Sequence, residues 1–258
     1  MRGKTIAVFS PVSKGWGTAT TALALGARLE QAGCGKILLI DLYEGVSALE
    51  EYMIRDLKKD KDRLPVGIFL EDLDERQLVL LSRKVSEGLY FLKADISGSA
   101  MDERMRGSIM KLIESGRSIF DVVILRLDGK TAALVSSGWD IGISVIAHDN
   151  GLDKQLNGSA SLSWYAKLQS AANHICVING VTGSWSIREA FGSYGEFQER
   201  TIRLPFNKEL ASNGNMAHKL YSAFVEELGA EKTPYSRKVG ELADRAMKMA
   251  GRPEAGQG

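Results

Sequence analysis

Residues 6–26 read IAVFSPVSKGWGTATTALALG, and this stretch says more about the fold than any other part of the chain. It begins with an apolar run typical of a buried strand, passes through a loop that contains Gly15 and Gly17, and ends with helical spacing. Backbone N–H groups in such a loop, together with the start of a helix, attract anions. An ordinary strand-to-helix turn has the same sequence pattern, so the loop indicates an anion site only in combination with the rest of the chain.

The order of strand, then helix, repeats along the sequence. The first helix is predicted over residues 19–31, with Ala22, Leu25 and Leu29 on one face, and it stops at Gly33. This alternation implies right-handed crossovers and predicts an α/β fold: a doubly wound, mostly parallel sheet with helices on both faces. Strands are predicted over residues 5–10, 37–41, 89–93, 122–125, 142–147, 174–179 and 201–204.

Length and composition favour one domain. The chain has 258 residues, of which 44% are hydrophobic, so we predict a single domain over residues 1–251 and a flexible C-terminal tail over 252–258. A formal net charge of +1 gives no strong nucleic-acid signal. No apolar stretch is long enough for a transmembrane segment, and no export signal precedes the first strand, so a cytoplasmic protein is predicted. The spacing of the three histidines predicts no metal site.

Residues 13–20 resemble the deviant Walker A loop of the ParA/MinD family of P-loop ATPases, in the SIMIBI class. That loop has the form Lys-Gly-Gly-x-Gly-Lys-Thr-Thr and is followed by a helix and by a strand that ends in Asp. Counting back without gaps from Gly33 places Gly15, Trp16 and Gly17 on the family's Gly-x-Gly.

The alignment replaces the groups that the family uses on phosphate and metal. Thr18 takes the position of the phosphate-binding lysine, Ala19 that of the Mg²⁺ ligand and Ser13 that of the signature lysine, while Thr20 completes the loop. Lys14 lies one position away from the signature lysine. Because phosphoryl transfer depends on placing positive charge and metal against the phosphates, these replacements imply loss of catalysis.

Two later strands continue the resemblance. Asp41 matches the first carboxylate of the family's Asp-x-Asp switch segment, but Tyr43 replaces the second, and Arg126 replaces the terminal aspartate of the Walker B strand. We interpret the joint loss as a pseudo-ATPase without catalytic residues. Arg126 either binds an anion or pairs with Asp41 or Glu44, and the ion pair is favoured because a buried charge needs a partner.

The C-terminal half is similar to the TadZ/CpaE branch of the family. Residues 204–207 and 211–214 match its Leu-Pro-Phe-Asp and Ala-x-Asn-x-Gly stretches, and the strand ending at Asn179 resembles the one whose Asn contacts adenine. The resemblance implies a homodimeric localisation or assembly factor for a pilus or secretion apparatus, recruited to the membrane or cell pole by protein partners. It leaves open whether ATP or ADP binds without hydrolysis. The candidate nucleotide or anion site comprises Lys14, Gly15, Trp16, Gly17, Thr18, Ala19, Thr20, Asp41, Arg126, Asn179 and Pro205.

Two other functions stay open at this point. One is an atypical but active ATPase that uses Lys14 and positions DNA or a cell-division or secretion machine. The other is a regulatory module that senses an anion or nucleotide through Arg126. Residues 239–250 form an amphipathic stretch without Trp, Phe or Ile, and this composition favours packing against the domain over membrane binding.

Overall fold

The computed structural model describes residues 2–11, 17–43, 49, 74–94, 96, 102–147, 173–181, 200–208, 220–230 and 233–251. Its strands form one sheet in the order β3-β4-β2-β5-β1-β6-β7-β8, in which every neighbouring pair is parallel except β3 and β4. The strands are β1 Lys4–Phe9, β2 Ile37–Leu42, β3 Arg83–Lys84, β4 Leu89–Lys93, β5 Val122–Leu127, β6 Ile141–Ala147, β7 His174–Val181 and β8 Thr201–Pro205. All seven predicted strands are confirmed within two residues at either end.

The strand that sequence reasoning missed is β3. It has two residues, Arg83 and Lys84, and pairs antiparallel with β4 at the edge of the sheet. A short, basic strand at an edge discourages pairing with another chain. Two charged residues carry no hydrophobic period, so the sequence has no strand signal at this position.

Helices cover both faces of the sheet, which confirms the doubly wound architecture. They are α1 Thr18–Gln31, α2 Glu75–Leu81, α3 Glu103–Ile119, α4 Gly129–Leu134, α5 Leu220–Ala230 and α6 Pro234–Met249. One hydrophobic core joins the sheet to α1, α5 and α6, and a second joins the other face to α2, α3 and α4. Alternate residues of β1, β2 and β5 contribute to the two cores, and β2 and β5 are buried along their whole length.

Helix α1 lies between the sheet and two further helices. The predicted stripe of Ala22, Leu25 and Leu29 is buried, and so are Leu23 and Ala27 on other sides of the helix. The outer side is covered because α5 and α6 pack there; the side-chain amide of Gln31, for example, donates to the carbonyl of Val225 on α5 at 2.9 Å. A helix enclosed in this way is rich in small apolar residues rather than strongly amphipathic.

Helix α6 packs onto the domain, as predicted from its composition. It begins at Pro234, after a capping box in which Thr233 and Ser236 exchange side-chain and backbone hydrogen bonds. Its apolar residues Val239, Leu242 and Ala246 are almost wholly buried. Within the described ranges, no helix is both long and apolar enough to cross a membrane. The predicted division into residues 1–251 and a tail stays a prediction, because residues 252–258 lie outside the described residues.

His174, the first residue of β7, provides a test of the core. It is 3% exposed, and its Nε2 lies 3.0 Å from the hydroxyl oxygen of Ser144. Burial, and secondly the charge of Arg200, lowers the pKa of the imidazole to about 4. The unfolded chain therefore takes up a proton near the ordinary pKa of 6.5, while the folded chain does so only near 4.

We expect stability to fall as the pH drops through this interval. Because of His174, the free energy of unfolding should fall by about 2 kcal/mol between about pH 7.5 and about pH 5. Urea unfolding at both pH values checks this, with His174→Gln as the variant that cannot titrate. The wild type should lose about 2 kcal/mol more than the variant. Equal losses in the two proteins would show that His174 is not buried in its neutral form.

Candidate functional site

The candidate site lies where the carboxyl ends of β2 and β5 meet the start of α1. In the sheet register Asp41 lies beside Arg126, which in turn lies beside Val8 of β1. Arg126 follows Val122 and Ile124 on the face of β5 that packs against α1. Strand alternation therefore directs its side chain toward the residue that begins α1, Thr18.

The Arg126 guanidinium is buried and hydrogen-bonded. Its Nη1 donates to both carboxylate oxygens of Asp41 at 3.1 Å, and its Nε donates to Thr18 Oγ1 at 3.3 Å. Arg126 is 4% exposed, Asp41 and Thr18 are 0% exposed, and the two charges compensate each other. The ion pair with Asp41 that the sequence favoured is thus formed, whereas Glu44 lies outside the described residues.

Tyr43 completes the group around the guanidinium. Its ring lies under Arg126, with Cζ 4.2 Å from the ring centroid, in a cation–π arrangement. Its backbone N–H donates to Asp41 Oδ1 at 3.1 Å, and its carbonyl accepts from Lys93 Nζ at 2.6 Å. Thr18, Tyr43 and Arg126, which the sequence resemblance interprets as departures from the family pattern, therefore lie together in the fold.

The loop before α1 is described only from Gly17 onward, since Lys14, Gly15 and Trp16 lie outside the described residues. Gly17 has φ 85° and precedes α1 without a side-chain cap. Ala19 is buried and has no side-chain oxygen, and Thr20 donates its hydroxyl to the Gly17 carbonyl at 3.0 Å. Ala19 therefore offers no side-chain ligand to a metal, and the Thr20 hydroxyl hydrogen is used within the first turn of the helix.

Asn179 lies beside this loop, and Pro205 lies on the next strand. A Cβ added to Gly17 would overlap the Asn179 amide nitrogen, so the Asn179 side chain packs directly on the loop glycine. Pro205 ends β8 next to Val181 and borders a cavity of about 250 Å³. The cavity is also lined by Phe206, Asn207, Lys208, Glu227, Thr233, Pro234 and Tyr235.

Among the described residues of this edge, Thr18, Ala19, Asp41 and Arg126 do not fit a magnesium ion. Mg²⁺ takes oxygen ligands in octahedral geometry, but Ala19 offers none and the Thr18 hydroxyl accepts from Arg126. Both Asp41 oxygens accept from the same guanidinium, whose charge repels a cation. Across the described ranges, no group of three or more His, Cys, Asp or Glu residues is arranged to hold a metal.

One residue of this site was missed from the sequence. Lys93 ends β4, where it lies beside Asp41 in the register, and its ammonium reaches the Tyr43 carbonyl. Its recognition required knowing that β4 adjoins β2. A lysine at the carboxyl end of a predicted parallel strand was the available signal.

Comparison with known structures identifies the fold. The chain superposes on a chain of the MinC:MinD cell division protein complex of Aquifex aeolicus with a TM-score of 0.67 and 18% identity, covering 95% of this chain and 96% of that chain. A ParA family ATPase of Chlorobium tepidum TLS gives a TM-score of 0.65 and 13% identity, covering 94% and 98%. Apo McdA of Cyanthece gives a TM-score of 0.62 and 15% identity, covering 95% and 99%.

These structures have the ParA/MinD type of P-loop NTPase fold, and this chain has the same fold over nearly its whole length. No family model matches the sequence, and no curated protein matches it. At these identities the likeness concerns the fold alone. Function has to be argued from the residues at the carboxyl edge of the sheet.

Proposed function

We propose that this chain is a ParA/MinD-like protein that has lost ATP hydrolysis and acts by positioning partner proteins. The observation that carries the proposal is the buried Arg126 guanidinium, hydrogen-bonded to Asp41 and Thr18. It stands where the family resemblance expects the acidic residue of the magnesium site.

The chemistry of phosphoryl transfer explains why this replacement matters. The reaction requires metal and positive side chains arranged around the β and γ phosphates, with an acid that holds the metal's water shell. In this chain Arg126 occupies the position of that acid, and Ala19 occupies the position of the metal ligand. The Arg126 guanidinium is neutralised by Asp41. Asp41 already compensates the guanidinium charge, so binding an anion to Arg126 as well would carry the cost of competing with a buried ion pair. That cost also disfavours an anion-sensing role.

The finer assignment rests on sequence resemblance. Residues 204–207 and 211–214 resemble the TadZ/CpaE branch, and we therefore propose a localisation or assembly factor for a pilus or secretion apparatus. Such a factor would be a cytoplasmic homodimer, recruited to the membrane or cell pole by protein partners. The MinC:MinD complex of Aquifex aeolicus shows that a protein of this fold forms a complex with another protein.

Phosphate release tests the proposal. Purified protein incubated with ATP and Mg²⁺ should release no more phosphate than buffer, and Lys14→Ala should behave identically. Steady release that Lys14→Ala abolishes would overturn the proposal in favour of an atypical ATPase. Release that survives Lys14→Ala would overturn it as well, and would mean that another residue supplies the missing charge.

A further inference from the structure

Tyr43, the first residue after β2, is held at three points. Its N–H donates to Asp41 Oδ1 at 3.1 Å, and its ring lies 4.2 Å from Arg126 Cζ. Its carbonyl accepts from Lys93 Nζ at 2.6 Å. The backbone is therefore restrained on both sides of the Tyr43 Cα, and the ring restrains the side chain.

The three restraints come from three adjacent strands. Lys93 on β4 and Arg126 on β5 are the register neighbours of Asp41 on either side. The ladder continues past Lys93, because the Ala94 N–H donates to the Asp41 carbonyl at 3.0 Å. The sheet thus fixes the backbone of Lys93, and the side chain extends past the end of β2 to the Tyr43 carbonyl. The bond from its ammonium to a carbonyl is charge-assisted and is stronger than a neutral one.

We propose that Lys93 is a positioning residue which, together with Arg126, fixes the conformation of Tyr43 at the end of β2 without any nucleotide. The proposal rests on the proposed function, because the family resemblance identifies the segment after β2 as the switch. In a nucleotide switch the ligand selects one of two conformations of such a segment. Here Lys93 and Arg126 supply the contacts with which a nucleotide would otherwise select one conformation.

Hydrogen exchange measured by mass spectrometry tests this inference on the whole chain. In Lys93→Met the peptide that contains Tyr43 should exchange about tenfold faster than in the wild type, the change expected for losing one charge-assisted hydrogen bond. Lys93→Arg, which keeps a donor for the carbonyl, should restore slow exchange. Peptides from β5 should not change. Addition of ATP and Mg²⁺ to the wild type should leave the Tyr43 peptide unaltered.

A matched control is Lys84→Met, which removes a lysine whose ammonium bonds to Glu87 at 3.2 Å on the exposed edge. It should leave the Tyr43 peptide at the wild-type rate. Unchanged exchange in Lys93→Met, or exchange in the wild type that slows when ATP is added, would overturn the inference. Failure of the proposed function alone would look different: phosphate would be released while Lys93→Met still exchanged faster.

Discussion

Replacing Arg126 with methionine is expected to lower the free energy of unfolding by about 3 kcal/mol or more, because it leaves the Asp41 carboxylate buried without a counter-charge. Asp41 has no exposed surface, and both of its oxygens accept from Arg126 Nη1. Methionine fills a similar volume, so the loss reports the missing charge more than a cavity. Urea unfolding followed by circular dichroism measures the change.

Two further variants separate the ion pair from general damage. Adding Asp41→Asn to Arg126→Met should recover at least about 1 kcal/mol relative to the sum of the single changes, since neighbours in one network are not additive. Arg106→Met is the matched control, because Arg106 pairs with Glu103 at 3.0 Å on the surface of α3 and should cost less than about 1 kcal/mol. An Arg126→Met protein as stable as this control would refute the buried pair.

Gly17→Ala is expected to cost about 3 kcal/mol, from two effects that act together: a left-handed backbone and a clash in a packed site. Gly17 has φ 85°, and an added Cβ would overlap the Asn179 amide. Thermal and urea unfolding report the loss. The same substitution would disturb the start of α1 next to Thr18.

The control for Gly17 is Gly33→Ala. Gly33 also has positive φ, at 70°, but a Cβ there would meet nothing within 4 Å. Gly33→Ala should lower the free energy of unfolding by only about 1 kcal/mol, the cost of placing alanine in a left-handed backbone conformation. Combining Gly17→Ala with Asn179→Ala should recover part of the loss by removing the clash. If Gly17→Ala and Gly33→Ala cost the same, Asn179 does not pack on the loop.

The sheet was predictable because buried parallel strands have a simple signature. Val122 to Leu125 is an apolar run between Asp121 and Arg126, and Ile37 to Ile40 is an apolar run between Lys36 and Asp41. The start of helix α6 was harder to predict from the sequence, because its first turn has no apolar periodicity and depends on the cap at Thr233. The full burial of α1 could not be predicted, because it depends on which helices cover it.

The site was predictable where opposite charges were expected in one metal site. The family resemblance placed Asp41 in the switch segment and Arg126 at the end of the Walker B strand, and the need of a buried charge for a partner then favoured their pairing. The bond from Arg126 to Thr18, the ring of Tyr43 under the guanidinium and the reach of Lys93 depend on side-chain direction. The contact between Asn179 and Gly17 spans most of the chain length, and no sequence period encodes such a contact.

The most direct measurement of the central idea is calorimetric titration of the purified protein with ATP, once with Mg²⁺ and once with a chelator. If Arg126, Ala19 and Thr18 have removed the metal site, both titrations should give the same isotherm, whether or not ATP binds. Binding that Mg²⁺ tightens by about tenfold or more, equivalent to about 1.4 kcal/mol, would contradict the loss of that site.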